Sequence, residues 1–151
     1  MIEAIMKAIQ TRIATEVTDL KHVDFDEGQL DYYAEHPPVM FPCCLIQDSS
    51  ANYTDVSVQH GAIPRNRQNG TVQIVLTVAE QRLTNSSFRT PTTQKDTYFR
   101  LSRLVQSIHE AVHGWKPIGD GSMMRVSTQK QKRDDGISVY LVTYSLGLVN
   151  C

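Results

Sequence analysis

The segment Thr71–Gln81 constrains the fold of this chain more than any other. Val72, Ile74, Leu76 and Val78 fall on alternate positions, and Val75 adds apolar bulk to the opposite side. A period of two places the four residues on one face of a β-strand. Such a face must be buried against another layer, and two segments have the pattern to cover it. Near the N-terminus Ile2, Ile5, Met6, Ile9 and Ile13 recur at three- and four-residue steps. Leu101, Leu104, Val105, Ile108, Val112 and Trp115 do so again across Asp96–His113, with Gly114 as the stop. Each set forms one apolar stripe on an amphipathic helix.

Further strands are expected around this frame. Lys21–Asp26 alternates in polarity as a short edge strand, turned by Glu27-Gly28. Gln29–Pro42 carries Pro37, Pro38 and Pro42, which exclude a helix interior and a central strand, so it reads as an extended lead-in to the strand Cys43–Gln47. Residues 48–54 read as loop, Val56 and Val58 as part of a moderately exposed strand, and Asn69-Gly70 as a turn. Arg82–Lys95 is a long polar loop. The end of the chain reads as a hairpin. Met123–Gln129 runs out, Lys130–Gly136 forms a charged tip, and Ile137–Val149 returns with Val139, Leu141 and Thr143 on one face and Tyr140, Val142 and Tyr144 on the other. A return strand with both faces largely apolar belongs inside a sheet or an assembly. The expected class is α+β: one domain over residues 1–151, two helices on one face of an antiparallel sheet, in the order α-β-β-β-α-β-β.

Composition narrows the functional classes. Fifteen basic and sixteen acidic residues leave a net charge of −1, which provides no general attraction to nucleic acid or to an anionic membrane. No apolar run approaches the roughly 20 residues that span a bilayer. Cys43, Cys44 and Cys151 are odd in number and lack framework spacing, which fits a reducing compartment such as the cytoplasm.

The sharpest chemical motif is His109-Glu110-Ala111-Val112-His113, a literal H-E-x-x-H on an expected helix. Two histidines at i and i+4 can share a zinc ion, with the glutamate activating its water. Three features oppose that reading. No His or Glu follows His113 as a third ligand, leaving only Asp120, Asp134 and Asp135 in turn-like sequence. At about 100° per residue, Glu110 falls nearly opposite the apolar stripe, and the histidines lie on its flank. Gly114 also ends the helix at once. Two surface histidines are the better reading. Cys43-Cys44 opens an apolar strand, where alternation buries one of the pair, and nothing nearby supplies a cation to activate a thiol. Arg65, Arg67 and the Lys130–Arg133 cluster sit at expected loop tips and read as solvated or as charged contacts to a protein partner. No catalytic, cofactor-binding or metal-binding residue is assigned.

The order of these elements resembles the tail terminator (tail completion) proteins of long-tailed bacteriophages and prophages. The resemblance is carried by the N-terminal helix Ile2–Ile13 and the proline-flanked strand Pro37–Ile46. It continues through the strand Thr71–Gln81, the polar loop, the helix Asp96–His113 and the closing hairpin ending in Tyr140–Val149. Gly28–Tyr32 with Pro37–Val39 is also similar to a stretch in prophage proteins. The resemblance implies a non-enzymatic, cofactor-free subunit of a homo-oligomeric, hexameric ring. That ring would cap the tail tube, contact neck and connector proteins, and reside in the virion after assembly in the host bacterial cytoplasm. Gly61–Gly70, Arg82–Lys95 and Lys130–Gly136 would be its contact regions. Two rival readings remain beside it: another neck or head–tail connector protein, and a small zinc hydrolase built on His109, Glu110 and His113.

Overall fold

In the computed structural model, residues 1–32, 37–56, 68–81, 87–89, 92, 98–119, 121–133 and 135–149 are described. The elements are α1 (Ile2–Glu16), β1 (His22–Phe25), α2 (Gln29–Tyr32), β2 (Cys43–Asp55), β3 (Gln68–Gln81), α3 (Arg100–Val112), β4 (Met124–Gln131) and β5 (Ile137–Leu148). Apart from the single turn of α2, this is the order expected from the sequence. The strands form one five-stranded sheet in the order β1-β2-β3-β5-β4. Among the described residues, no helix is long and apolar enough to cross a membrane.

The main core lies between the two long helices and one face of the sheet. Ile5, Met6, Ile9 and Ile13 of α1 and Leu101, Leu104, Val105, Ile108 and Val112 of α3 meet Ile46, Val72, Ile74, Leu76, Val78, Val142 and Tyr144. Full burial of each large aliphatic side chain contributes about 1.5–3 kcal/mol, which is why the two stripes define the fold. The helices are also tied end to end. The Arg12 guanidinium donates to the Ala111 carbonyl at 3.0 Å, in the last turn of α3, and lies 5.4 Å from the centre of the Trp115 ring. A cation there favours the negative end of the helix dipole. Gly114 takes φ +77°, the left-handed conformation suited to a residue just past a helix end.

The sheet is mixed, which corrects the expected all-antiparallel arrangement. β1 pairs with β2 in parallel, His22 opposite Cys43 and Phe25 opposite Ile46, whereas β2–β3, β3–β5 and β5–β4 are antiparallel. Parallel neighbours need a crossover, and the described residues between Phe25 and Cys43 lie on the face opposite the long helices. There Leu30, Val39 and Phe41 pack on Cys43, Leu45, Ala79 and Val139 as a second, smaller apolar cluster. The part of the proline-containing segment next to β1 is helical for one turn, not extended, because Gln29–Tyr32 precedes the prolines.

β2 is longer than its apolar residues indicate. Residues 48–54, expected as loop, continue the strand to Asp55 past a bulge between Asp48 and Ser50. β3 likewise begins at Gln68, so Asn69-Gly70 lies within a strand, opposite Thr54 and Tyr53, and is not a turn. A Cβ on Gly70 would lie 2.5 Å from the Asn52 carbonyl oxygen and 2.8 Å from the Tyr53 ring, so the absent side chain leaves room for that ring. Val56 is a bend, and the remainder of the strand expected around Val58 lies outside the described residues.

Candidate functional site

The histidine motif is on α3, where the sequence places it, but its nitrogens face protein groups. His109 Nδ1 lies 3.2 Å from the Tyr144 hydroxyl, and the two rings stack with centroids 6.3 Å apart. Tyr144 belongs to the buried face of β5, and burial pushes its hydroxyl up to about 12. Burial, and then the Arg125 guanidinium, hold the His109 imidazole below its ordinary value. His113 is exposed, and its Nδ1 accepts the Arg125 backbone N–H at 3.2 Å. A neutral ring used in this way carries its proton on Nε2, so neither nitrogen is free without breaking that bond. Glu110 points to solvent, where it accepts from Gln106 at 3.3 Å. Among the described residues, no three His, Cys, Asp or Glu side chains converge on a possible metal site. Asp120 and Asp134 lie outside the described residues, and Asp135 is engaged elsewhere.

Both Cys43 and Cys44 are fully buried, correcting the expectation that alternation would bury only one. Cys44 faces the long helices, while Cys43 faces the crossover segment that covers the other side. Burial pushes the Cys43 thiol up to about 12 and Cys44 higher still, which makes both poor nucleophiles.

The hairpin tip is exposed at Lys130, Gln131 and Lys132, but Arg133 within it is held against the protein. Arg133 donates to Asp135 Oδ2 at 2.6 and 3.0 Å and to its Oδ1 at 3.2 Å, to Asp31 at 2.8 Å, and to the Leu30 carbonyl at 2.8 Å. Its side chain is only 13% exposed, so it fastens the β4–β5 tip to α2. Lys130 donates to the Tyr98 hydroxyl at 2.9 Å and lies 4.7 Å from the centre of that ring. Sequence reading missed these links because Asp31 and Tyr98 stand far away in the chain. Arg65 and Arg67 lie outside the described residues, as does most of Arg82–Lys95.

What the geometry does offer is open sheet edge. Every residue of β4 is exposed, including the apolar Met124 and Val126, and its outer side has no partner strand among the described residues. Helix α3 does not reach over β4, so an open groove of about 670 Å³ runs between them, walled by Ser102, Gln106, Arg125, Thr128 and Tyr140. At the other side of the sheet β1 covers only Cys43–Ile46, leaving Gln47–Asp55 of β2 unpaired along its outer edge among the described residues. Long open edges are sites at which another chain can add a strand.

This fold recurs in a virion. The matching chain belongs to a solved structure described as the virion of a native gene transfer agent (GTA) particle, with a TM-score of 0.54 and 10% sequence identity. The match covers 96% of this chain and 94% of that one. At such identity the likeness is one of fold, and it extends over the whole architecture, not a local motif. No protein-family model matches the chain, and no curated protein does.

Proposed function

We propose that this chain is a structural protein of a phage-like particle, a tail terminator whose copies form a ring that caps the tail tube and contributes to head–tail joining. The observation that carries this reading is the fold shared, nearly end to end, with a chain of a gene transfer agent virion. The rest of the molecule is consistent with an assembly part. Its conspicuous surfaces are two sheet edges unpaired among the described residues and a groove beside one of them. The residues that looked catalytic are instead used internally: His109 on Tyr144, His113 on the β4 backbone, and the cysteines in two apolar clusters. In this reading the partners are further copies of the chain, the tail tube and neck proteins, and the protein resides in the virion.

Native mass spectrometry followed by addition to purified tail tubes tests the proposal. A metal-free ring that binds tube ends and restores head joining in a terminator-deficient lysate is the expected result. A zinc-loaded monomer, with the zinc lost in His109→Ala, would overturn it in favour of the hydrolase. Binding to heads but not to tube ends would move the protein to the connector.

A further inference from the structure

The two sheet edges left open among the described residues are complementary in direction, length and charge. Along the chain of pairings β2, β3, β5 and β4 are successively antiparallel, so β4 runs opposite to β2. Rotation of a copy about an axis lying along the strands preserves strand direction and keeps the helices on the same side. It would therefore bring β4 of one copy alongside β2 of the next as an antiparallel pair. Such a head-to-tail contact uses different surfaces on the two copies and closes into a ring when the rotation closes. The stretch Gln47–Asp55, unpaired on its outer side among the described residues, and the eight residues of β4 are of similar length. Cross-strand pairing puts Asp48, Tyr53 and Asp55 on the helix side of β2, and Arg125, Thr128 and Lys130 on the helix side of β4. One edge is thus acidic and the other basic, on the same face.

We propose that copies of this chain join by pairing β4 of one with the Gln47–Asp55 edge of β2 of the next, making one continuous sheet. This rests on the ring reading and specifies its interface. Each strand carries a one-residue bulge, at Ser49 and at Val126. With both skipped, Lys130 stands opposite Asp48, Thr128 opposite Ala51, Ser127 opposite Asn52, and Arg125 opposite Tyr53. Asp55 then lies diagonal to Arg125, within reach of a long side chain. The arrangement gives each cation an anionic neighbour, and sets a guanidinium against a ring that is 48% exposed. Charged residues and bulges also guard edges against pairing. That opposite role predicts no pairing between copies.

Disulfide trapping separates the two. Ala51→Cys and Thr128→Cys are placed in one chain with Cys151→Ser. Strands β2 and β4 are three spacings apart, about 14 Å, so the bond cannot close within a subunit. Mild oxidation is expected to yield a ladder of covalent oligomers on a non-reducing gel, as is the pair Asn52→Cys with Ser127→Cys. The control, Thr128→Cys with Lys116→Cys, is expected to remain monomeric. Arg125→Glu with Lys130→Glu is expected to abolish the ladder, and adding Asp48→Lys and Asp55→Lys to restore it. No ladder from either pair, or one equally strong from the control, would overturn the proposed pairing even if native spectra show a ring. A trapped ring that ignores tail tubes would instead sink the capping function and leave the interface standing.

Discussion

Replacing Arg133 by alanine is expected to destabilise the fold by about 2 kcal/mol. The guanidinium meets three acceptors in different surroundings, and each contributes according to its exposure. Asp135 is 28% exposed and takes a two-pronged charge-assisted contact, which after solvent screening is worth about 1 kcal/mol. The partly buried Leu30 carbonyl would lose a cationic donor, for about another 1 kcal/mol. Asp31 is 65% exposed and adds only a few tenths of a kcal/mol. For a domain of this size the total corresponds to a fall in Tm of about 4–8 °C. Urea unfolding followed by circular dichroism measures the loss directly. Arg133→Lys retains the charge but not the fork, and is expected to recover less than half of it. A double-mutant cycle with Asp135→Ala should return a coupling of about 1 kcal/mol. If Arg133→Ala cost less than about 0.5 kcal/mol, the tip would be opening before the core unfolds, and Arg133 would not join α2 to the hairpin as one cooperative unit.

Three further outcomes are expected from the structure. The hydrogen bonds from Arg133 hold the Asp135 carboxyl below the 3.8 of a free aspartate. Its folded value is therefore lower than its unfolded one, so this contribution is complete above about pH 5 and is lost as pH falls through the folded value. Acid titration of stability should show a loss in that window, and Arg133→Ala should flatten it. With the Cys43 thiol pushed up to about 12 and Cys44 equally enclosed, neither should be alkylated by iodoacetamide at pH 8 in the folded protein, and both should be in guanidinium, as peptide mass spectrometry will record. Gly121→Ala would drive a Cβ into the backbone of Gly147 in β5, where no flexible side chain can give way. A loss of about 1–3 kcal/mol in urea unfolding is expected, and a neutral result would contradict the close approach of the two chain segments.

Local periodicity alone determined much of this protein. The stripes of α1 and α3, the two faces of β3 and β5, and the stop at Gly114 were all legible, because each is set by burial of one side of a regular element. The outward direction of Glu110 was legible for the same reason. Tertiary structure decided what local pattern does not encode. The polar residues Asp48–Asp55 form strand because β3 holds their backbone, and backbone pairing leaves no hydrophobic trace in the sequence. Cys43 is buried because a crossover some residues earlier returns over its face, and that same crossover makes β1 parallel to β2. Arg133, which reads as one charge in a solvated run, finds Asp31 and Leu30 more than a hundred residues away in the chain. His109 finds Tyr144 thirty-five residues on. Periodicity tells a residue which side it faces, and only the assembled sheet decides what stands there.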